Sequence, residues 1–244
     1  MNRVAILQAR SGSTRLPRKV LMELGGRPML QRVIERLQRC ARLDRIVVAT
    51  TDLAEDDAVV EAAQAAGAGT FRGSEHDVLL RYAGAAHAAE AELIVRVTAD
   101  CPLLDPTIVD RVVATLEDDP AGADYASNVI ERTYPRGLDV EAFFADTLER
   151  VDRRARSRTA REHVTAFVLR EQPQLFTLRS VRDVDDNSDL RWTVDESADL
   201  DMIRCLYRDL GLGSTPRPYL EVLQYVRAHP ELAAMNAAIQ QKLH

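Results

Sequence analysis

The chain has 244 residues, of which 46% are apolar and 29% charged, and its formal net charge is −6. This length suits one large α/β domain or two small ones, and the acidic balance argues against a protein that coats nucleic acid. No apolar run is long enough to span a bilayer, and nothing after Met1 resembles a signal peptide. The cysteines are scattered and odd in number, so they indicate neither a disulfide framework nor a zinc site. We therefore expect a soluble, cytoplasmic protein that contacts neither nucleic acid nor membrane.

Apolar runs alternate with amphipathic segments through the first half of the chain. Short, almost fully apolar strands are predicted over Val4–Ala9, Ile46–Thr50, Gly69–Phe71 and Leu93–Val97. Helices are predicted after the strands, in a segment opened by Pro28 and over Asp56–Ala66, Asp77–Ala89 and Pro106–Glu117. This alternation indicates a Rossmann-like α/β fold, with a doubly wound, mostly parallel sheet that binds ligands at the carboxyl ends of its strands.

The pattern loosens over residues 128–182, which we interpret as a small inserted α+β lobe. Its predicted elements are strands near Leu138–Phe144 and Leu175–Val181 and helices near Ala145–Arg154 and Thr159–Glu171. A returning strand is then predicted over Arg191–Val194, and helices over Ala198–Leu210, Pro218–Ala228 and Pro230–Leu243. Because no Gly/Ser/Pro linker flanks the lobe, we expect residues 1–244 to form a single domain.

The loop after the first strand, Gln8–Lys19, has the composition of a phosphate-binding segment. Its small residues, Ser11 and Gly12 among them, let the backbone approach an anion closely. Its three candidate phosphate ligands are cationic side chains, Arg10, Arg15 and Lys19. The loop matches neither the Walker pattern nor the dinucleotide fingerprint, and a solvated basic turn is the alternative.

Lys19 is unusual within the composition, because the chain has thirty arginines and only two lysines. The other lysine, Lys242, is near the C-terminus. Lysine carries a compact point charge, whereas arginine carries a planar fork. We therefore expect Lys19 to bind phosphate as a point charge.

Two aspartates follow predicted strands. Asp100 comes just after Leu93–Val97, and Asp195 comes just after Arg191–Val194. Two carboxylates at strand ends that face a basic loop can hold Mg²⁺ against phosphates. Asp105 before Pro106 is better explained as a helix N-cap.

Four segments in the same order resemble the cytidylyltransferase family of sugar-acid activation. They are Gln8–Lys19, Phe71–Asp77, Arg96–Pro106 and Thr193–Leu200. Within that family the chain is similar to the SpsF-like branch of spore-coat polysaccharide biosynthesis, which is related to the CMP-KDO and CMP-sialic acid synthetases. The resemblance implies a fold of the nucleotide-diphospho-sugar transferase type, CTP as substrate, Mg²⁺ as cofactor and a homodimer.

The resemblance also implies roles for individual residues. It places the cytosine against the backbone around Leu7 and Ala9, and the triphosphate on the catalytic cations Arg10, Arg15 and Lys19. The rest of the predicted nucleotide site is Ser11, Gly12, Gly73 and Ser74, although a plain turn explains the last two almost as well. The implied metal ligands are Asp100 and Asp195. The acceptor would lie beside Tyr134–Glu141, with Tyr134, Arg136, Asp139 and Glu141 as contacts, although a structural β-turn explains this segment equally well.

The chain departs from the family pattern at two positions. Arg18 and Ala99 stand where relatives often have glycine. Neither change removes a predicted ligand.

The reaction we expect is transfer of CMP from CTP to an acidic sugar or a related acidic acceptor, with release of pyrophosphate. A carboxylate, phosphate or phosphonate oxygen would attack the α-phosphorus, and such an oxygen needs no strong base at neutral pH. None of the five histidines is predicted beside the cations, and His163 is the best of them. Six arginines within Arg150–Arg161 are interpreted as a solvated helix face.

Two alternatives remain open. A glycosyltransferase that uses a nucleotide-sugar donor would employ an Asp-x-Asp motif, for which Asp183–Asp185 and Asp199–Asp201 are the candidates. A non-catalytic nucleotide-binding protein is the other alternative.

Overall fold

The computed structural model describes residues 1–119 and 122–239. Within these ranges a seven-stranded sheet runs in the order β5-β4-β1-β6-β8-β7-β9. The strands are β1 (Arg3–Gln8), β4 (Arg45–Thr51), β5 (Gly69–Gly73), β6 (Leu93–Thr98), β7 (Tyr125–Ser127), β8 (Glu141–Phe144) and β9 (Leu178–Ser180). Only β8 runs against its neighbours in this sheet. β2 (Glu23–Leu24) and β3 (Arg27–Pro28) form a separate antiparallel pair. The predicted doubly wound, mostly parallel α/β fold is confirmed.

Helices cover both faces of the sheet, as the apolar strands require. The first four are α1 (Met29–Leu37), α2 (Asp57–Ala65), α3 (Val78–Ala88) and α4 (Pro106–Glu117), and they are followed by α5 (Ala145–Arg154), α6 (Arg158–Glu162), α7 (Ser197–Asp209), α8 (Tyr219–Ala228) and α9 (Pro230–Ala234). Alternate β1 side chains enter different cores: Ala5 and Leu7 pack in the core that includes α1 and α4, whereas Val4 and Ile6 pack with α3 and α5. The helical segments in the described ranges include none that is both long and apolar enough to cross a membrane.

Residues 128–182 contribute directly to the main sheet. β8 pairs with β6, and β9 extends the edge beyond β7. The strands of this lobe are therefore hydrogen-bonded to strands outside it. Helix α5 packs on one face of the sheet.

Three predicted elements are wrong in part. The helix predicted over Thr159–Glu171 is interrupted after α6 by a turn over residues 163–165, and a π-helical turn follows at Phe167–Glu171. Arg191–Val194 forms no strand and contributes one isolated bridge to Arg136. The helix predicted over Pro230–Leu243 ends at Ala234 in α9, and residues 240–243 of that prediction lie outside the described residues.

Candidate active site

A cavity of about 820 Å³ opens at the carboxyl ends of β1 and β6. From β1 the chain adds β4 and then β5 on one side, whereas β6 lies on the other side of β1. Ligands of such sheets bind where the direction of winding reverses. The loop after β1 supplies one wall, with Arg10, Gly12, Arg15 and Lys19, and Asp100 and Asp195 complete it. The predicted cations and carboxylates therefore share one cavity.

Lys19 bridges the two carboxylates. Its Nζ donates to Asp100 Oδ2 at 2.7 Å and to Asp195 Oδ1 at 2.9 Å, and also to the Val194 carbonyl at 2.8 Å. Burial opposes the charge on Lys19, but the two aspartates outweigh it and raise the lysine pKa above its usual value. The ammonium is thus fully charged at neutral pH.

Asp195 has two further cations. Arg15 lies 3.0 Å from Oδ1, and Arg191 Nη2 donates to Oδ2 at 2.9 Å. Although burial favours the neutral acid, Lys19 and the arginines hold the pKa of Asp195 below its usual range. Arg191 also pairs with the fully buried Asp199, and this second ion pair holds the Arg191 side chain against Asp195.

Backbone bonds join the two segments that carry the carboxylates. Val194 N donates to the Asp100 carbonyl at 2.8 Å, and Thr193 Oγ1 donates to the same carbonyl at 3.3 Å. Thr98 Oγ1, at the end of β6, donates to Asp100 Oδ1 at 2.6 Å. Asp195 is therefore placed by a loop anchored on Asp100, although no strand precedes it.

The loop over Gln8–Lys19 is anchored by a buried carboxylate, that of Asp56. Ser11 N donates to Asp56 Oδ1 at 2.6 Å, and Thr51 Oγ1 donates to Asp56 Oδ2. Burial of Asp56 favours the neutral acid, but the hydrogen bonds from Thr51 and Ser11 hold its pKa below the usual value. Ser11 is therefore turned inward and anchors the loop.

Arg18 adopts a left-handed conformation, with φ 57°. Glycine reaches this region without the steric cost that a side chain incurs. A glycine would suit the backbone here, and Arg18 adopts the conformation at a local steric cost.

The rest of the cavity lining contains polar residues to which the sequence patterns give no role. Gln8 and Thr98 lie side by side at the ends of β1 and β6, and Arg158, Glu162 and His163 come from α6 and the residue that follows it. The expectation that no histidine lies beside the cations is wrong, because His76 and His163 both line the cavity. Arg158 belongs to the arginine-rich Arg150–Arg161 segment. That composition was the sequence signal that could have indicated a residue of the cavity.

Other predicted nucleotide-binding residues are not on the cavity wall. Leu7 is fully buried in the core, and Ser11 faces Asp56. The Ser74 carbonyl accepts from Arg81, and the Ser74 hydroxyl accepts from Asp77 N. Gly73 ends β5, whereas Ala9, Glu75 and His76 do reach the cavity.

The four residues predicted to contact the acceptor are not among those that line this cavity. Tyr134 is buried and accepts a hydrogen bond from Arg111, and Asp139 forms a bidentate pair with Arg132. Glu141 is buried with Arg96, and Arg136 borders a different cavity of about 620 Å³ beside α8 and α9. The segment is structural because Gly137, at φ 102°, packs directly against Trp192 and Thr193.

The Asp-x-Asp candidates are structural as well. Asp183 Oδ2 accepts from the Tyr219 hydroxyl, and Asp199 is buried against Arg191 and Asn236. None of the four aspartates lines the cavity. This placement disfavours the metal site that a nucleotide-sugar glycosyltransferase would need.

The donor set fits a divalent cation that also binds phosphate. Across residues 1–119 and 122–239 no three His, Cys, Asp or Glu side chains cluster to hold a metal by themselves. Mg²⁺ is commonly held by one or two carboxylates together with substrate phosphates and water. Asp100 and Asp195, which face the cationic loop, match that requirement.

Comparison with known proteins identifies the family of the chain. A family model described as "Cytidylyltransferase" matches residues 4–204. The spore coat polysaccharide biosynthesis protein SpsF of Bacillus subtilis is 32% identical over 96% of this chain and 97% of its own length. A cytidylyltransferase structure from Leptospira borgpetersenii superimposes with a TM-score of 0.92 at 30% identity and covers 100% of both chains.

A CMP:2-keto-3-deoxy-manno-octonic acid synthetase complexed with CTP shares the fold. Its TM-score is 0.68 at 24% identity, over 86% of this chain and 100% of that one. The family match spans most of the chain and includes the loop, Asp100 and Asp195. The chain therefore belongs to the cytidylyltransferase family.

Proposed function

We propose that the protein transfers CMP from CTP to an anionic small molecule, with Mg²⁺ as cofactor and pyrophosphate as the second product. The observation that carries the proposal is one cavity with two chemically distinct walls. Cations and paired carboxylates line one wall, Arg158, Glu162 and His163 line the other, and Gln8 and Thr98 lie at the strand ends between them. About 820 Å³ falls within the range of ligand-binding pockets.

The cationic wall suits the triphosphate. Arg10 and Arg15 can each form forked hydrogen bonds with phosphate oxygens, and Lys19 adds a point charge. Asp100 and Asp195 would hold Mg²⁺, which supplies charge neutralisation when it is bound. The loop backbone at Ala9 and Gly12 lies on the same wall and is available to the nucleoside and phosphates.

The opposite wall suits an anionic acceptor. The Arg158 side chain is 96% exposed, and its nearest anion is Glu162 at 3.8 Å. Such a weakly paired guanidinium can bind a carboxylate or phosphate of the acceptor. Gln8 and Thr98 offer an amide and a hydroxyl at the floor between the walls.

In the reaction, an acceptor oxygen forms the new bond to the α-phosphorus. The bond from that phosphorus to the bridging oxygen breaks, and pyrophosphate leaves with the electron pair. A carboxylate or phosphate oxygen attacks without a base, whereas a hydroxyl would transfer its proton to Glu162 or His163. Catalysis then rests on positioning and on charge stabilisation by the cations.

The test is pyrophosphate release from CTP, UTP, ATP and GTP, with and without Mg²⁺. Each nucleotide is paired with sugar acids, phosphorylated sugars, phosphonates and neutral sugars. We expect release with CTP and an anionic acceptor only. Transfer from a nucleotide sugar without pyrophosphate release would establish the glycosyltransferase alternative instead.

Arg158→Ala tests where the acceptor binds. We expect its acceptor KM to rise about tenfold, as loss of a charge-assisted hydrogen bond predicts, while the CTP KM stays unchanged. Arg153→Ala is the matched control, because Arg153 lies on α5 away from the cavity, 65% exposed and paired with Glu149. An equal effect of the two variants would remove Arg158 from the acceptor site.

The spore-coat or surface-polysaccharide role, the cytoplasmic location and the homodimer are further parts of this proposal. They follow from the family resemblance and from the composition. Size-exclusion chromatography with light scattering tests the homodimer directly.

A further inference from the structure

The carboxylate of Glu141 is a buried junction close to the acceptor wall. The residue is 5% exposed and lies on β8. Its Oε2 accepts from Arg96 on β6, and its Oε1 accepts from Tyr125 on β7 and from Thr165 Oγ1, the last at 2.6 Å. One side chain thus joins three strands and the turn after α6.

That turn is held in a strained conformation. Val164 has φ 44°, a left-handed value that is costly for a β-branched residue, and it is buried in the core. Thr165 N and Ala166 N both donate to the His163 carbonyl. Strain of this kind persists only where the surroundings hold it, and the Thr165 hydroxyl on Glu141 provides such a hold.

Two of the three partners of Glu141, Arg96 and Thr165, lie two residues from side chains that line the cavity. Arg96 precedes Thr98 by two residues on β6, and Thr165 follows His163 by two residues. Thr98 and His163 both line the cavity. The carboxylate therefore connects the strand that carries one wall residue to the turn that carries the other.

We infer that Glu141 is a positioning residue that sets the place of His163 relative to Thr98 through its hydrogen bond with Thr165. It acts on the acceptor side of the cavity without touching the acceptor. The inference rests on the proposed function, because it needs the acceptor to lie against this wall.

Thr165→Val isolates this hydrogen bond, since valine keeps the shape of the side chain and leaves the Arg96–Glu141 pair intact. Replacing Glu141 itself would leave a buried arginine without its partner and endanger the fold. Thr147→Val is the matched control. Thr147 borders the same small internal void as Thr165, and its buried hydroxyl has no hydrogen-bond partner among the described residues.

We expect Thr165→Val to raise the acceptor KM about tenfold, the effect of losing a hydrogen bond to a charged group. The CTP KM should stay within about twofold of wild type because the phosphate loop is untouched. Thr165→Ser should restore the acceptor KM. Hydrogen exchange of the amides at residues 164–166 should accelerate in Thr165→Val but not in Thr147→Val.

Two failures can be told apart. Wild-type protein that releases no pyrophosphate with any acidic acceptor refutes the proposed function, and the positioning role falls with it. Wild-type turnover with the same acceptor KM in Thr165→Val and Thr147→Val refutes the positioning role alone. Equal rises in the KM for CTP and acceptor would also refute it, because they would indicate a general loss of structure.

Discussion

Replacing Lys19 with methionine should destabilise the protein and make its stability depend on Mg²⁺. In the structure the ammonium lies 2.7 Å from Asp100 and 2.9 Å from Asp195. The side chain is only 12% exposed, so water replaces little of what the substitution removes. Methionine keeps the volume and flexibility of the lysine stem and removes the charge.

The size of the effect depends mainly on Asp100. Asp195 keeps Arg15 and Arg191, whereas Asp100 keeps the Thr98 hydroxyl and loses the one cation that pairs with it in the described structure. Breaking a buried pair costs about 3–5 kcal/mol. Because the Asp100 side chain is 22% exposed, we discount this to about 2 kcal/mol, or a fall in Tm of about 6 °C for a domain of this size.

Mg²⁺ should recover part of that loss in the variant. A divalent ion that binds the freed carboxylates at about ten times its Kd adds about 1.4 kcal/mol. In the wild type the ammonium competes for the same oxygens, so Mg²⁺ without nucleotide should leave the Tm unchanged. Lys19→Arg keeps a positive charge and serves as the control.

The assay is urea and thermal unfolding of the wild type, Lys19→Met and Lys19→Arg, each with and without MgCl₂. The reasoning is refuted if Lys19→Met is as stable as the wild type. It is also refuted if Mg²⁺ stabilises the wild type and Lys19→Met equally, since the lysine would then not occupy the metal-binding oxygens.

Two further substitutions test how the loop and the segment behind it are built. Asp56→Asn should raise the CTP KM about tenfold while leaving the acceptor KM unchanged, because it weakens the anchor of Ser11 N. Since the pKa of Asp56 is lowered on folding, its contribution is present above about pH 4 and lost as the pH falls further. Asp56→Asn should therefore lose less stability than the wild type as the pH falls below about 4. The same loss of unfolding free energy in both proteins would contradict the role given to the Asp56 carboxylate. Gly137→Ala should lower the unfolding free energy by about 3 kcal/mol or more, because a Cβ would lie 2.5 Å from the backbone of Trp192 and Thr193 at φ 102°. A thermal unfolding curve that matches the wild type would show that this contact relaxes freely.

The sequence predicts the first half of the fold well because its signals are local. The apolar run of β1 and the proline that begins α4 are contiguous patterns, and the helix over Pro106–Glu117 is confirmed at both ends. The three-residue strand β7 is missed, since a segment so short has no periodicity of its own.

The part of the cavity lined by Arg158, Glu162 and His163 could not be predicted, because it depends on contacts between residues far apart in the sequence. The pattern over Thr159–Glu171 favours one helix, yet the helix is interrupted at Val164. The next residue, Thr165, donates a hydrogen bond to Glu141, 24 residues away. Arg158 and His163, which precede this interruption, line the cavity. Glu141 was predicted to contact the acceptor, and the structure buries it outside the lining of the cavity.

The charges of the cavity indicate how its ligands must enter. Arg10 pairs with Glu75, Arg15 with Asp195, and Lys19 with both Asp100 and Asp195. In the proposed reaction, an entering triphosphate competes with these carboxylates for the cations. Carboxylates released beside phosphate oxygens in turn form the site that Mg²⁺ prefers. Under the proposed function, nucleotide and metal should thus favour each other's binding. The same exchange of partners would let Lys19 hold the aspartates in the free protein and bind the phosphates during the reaction.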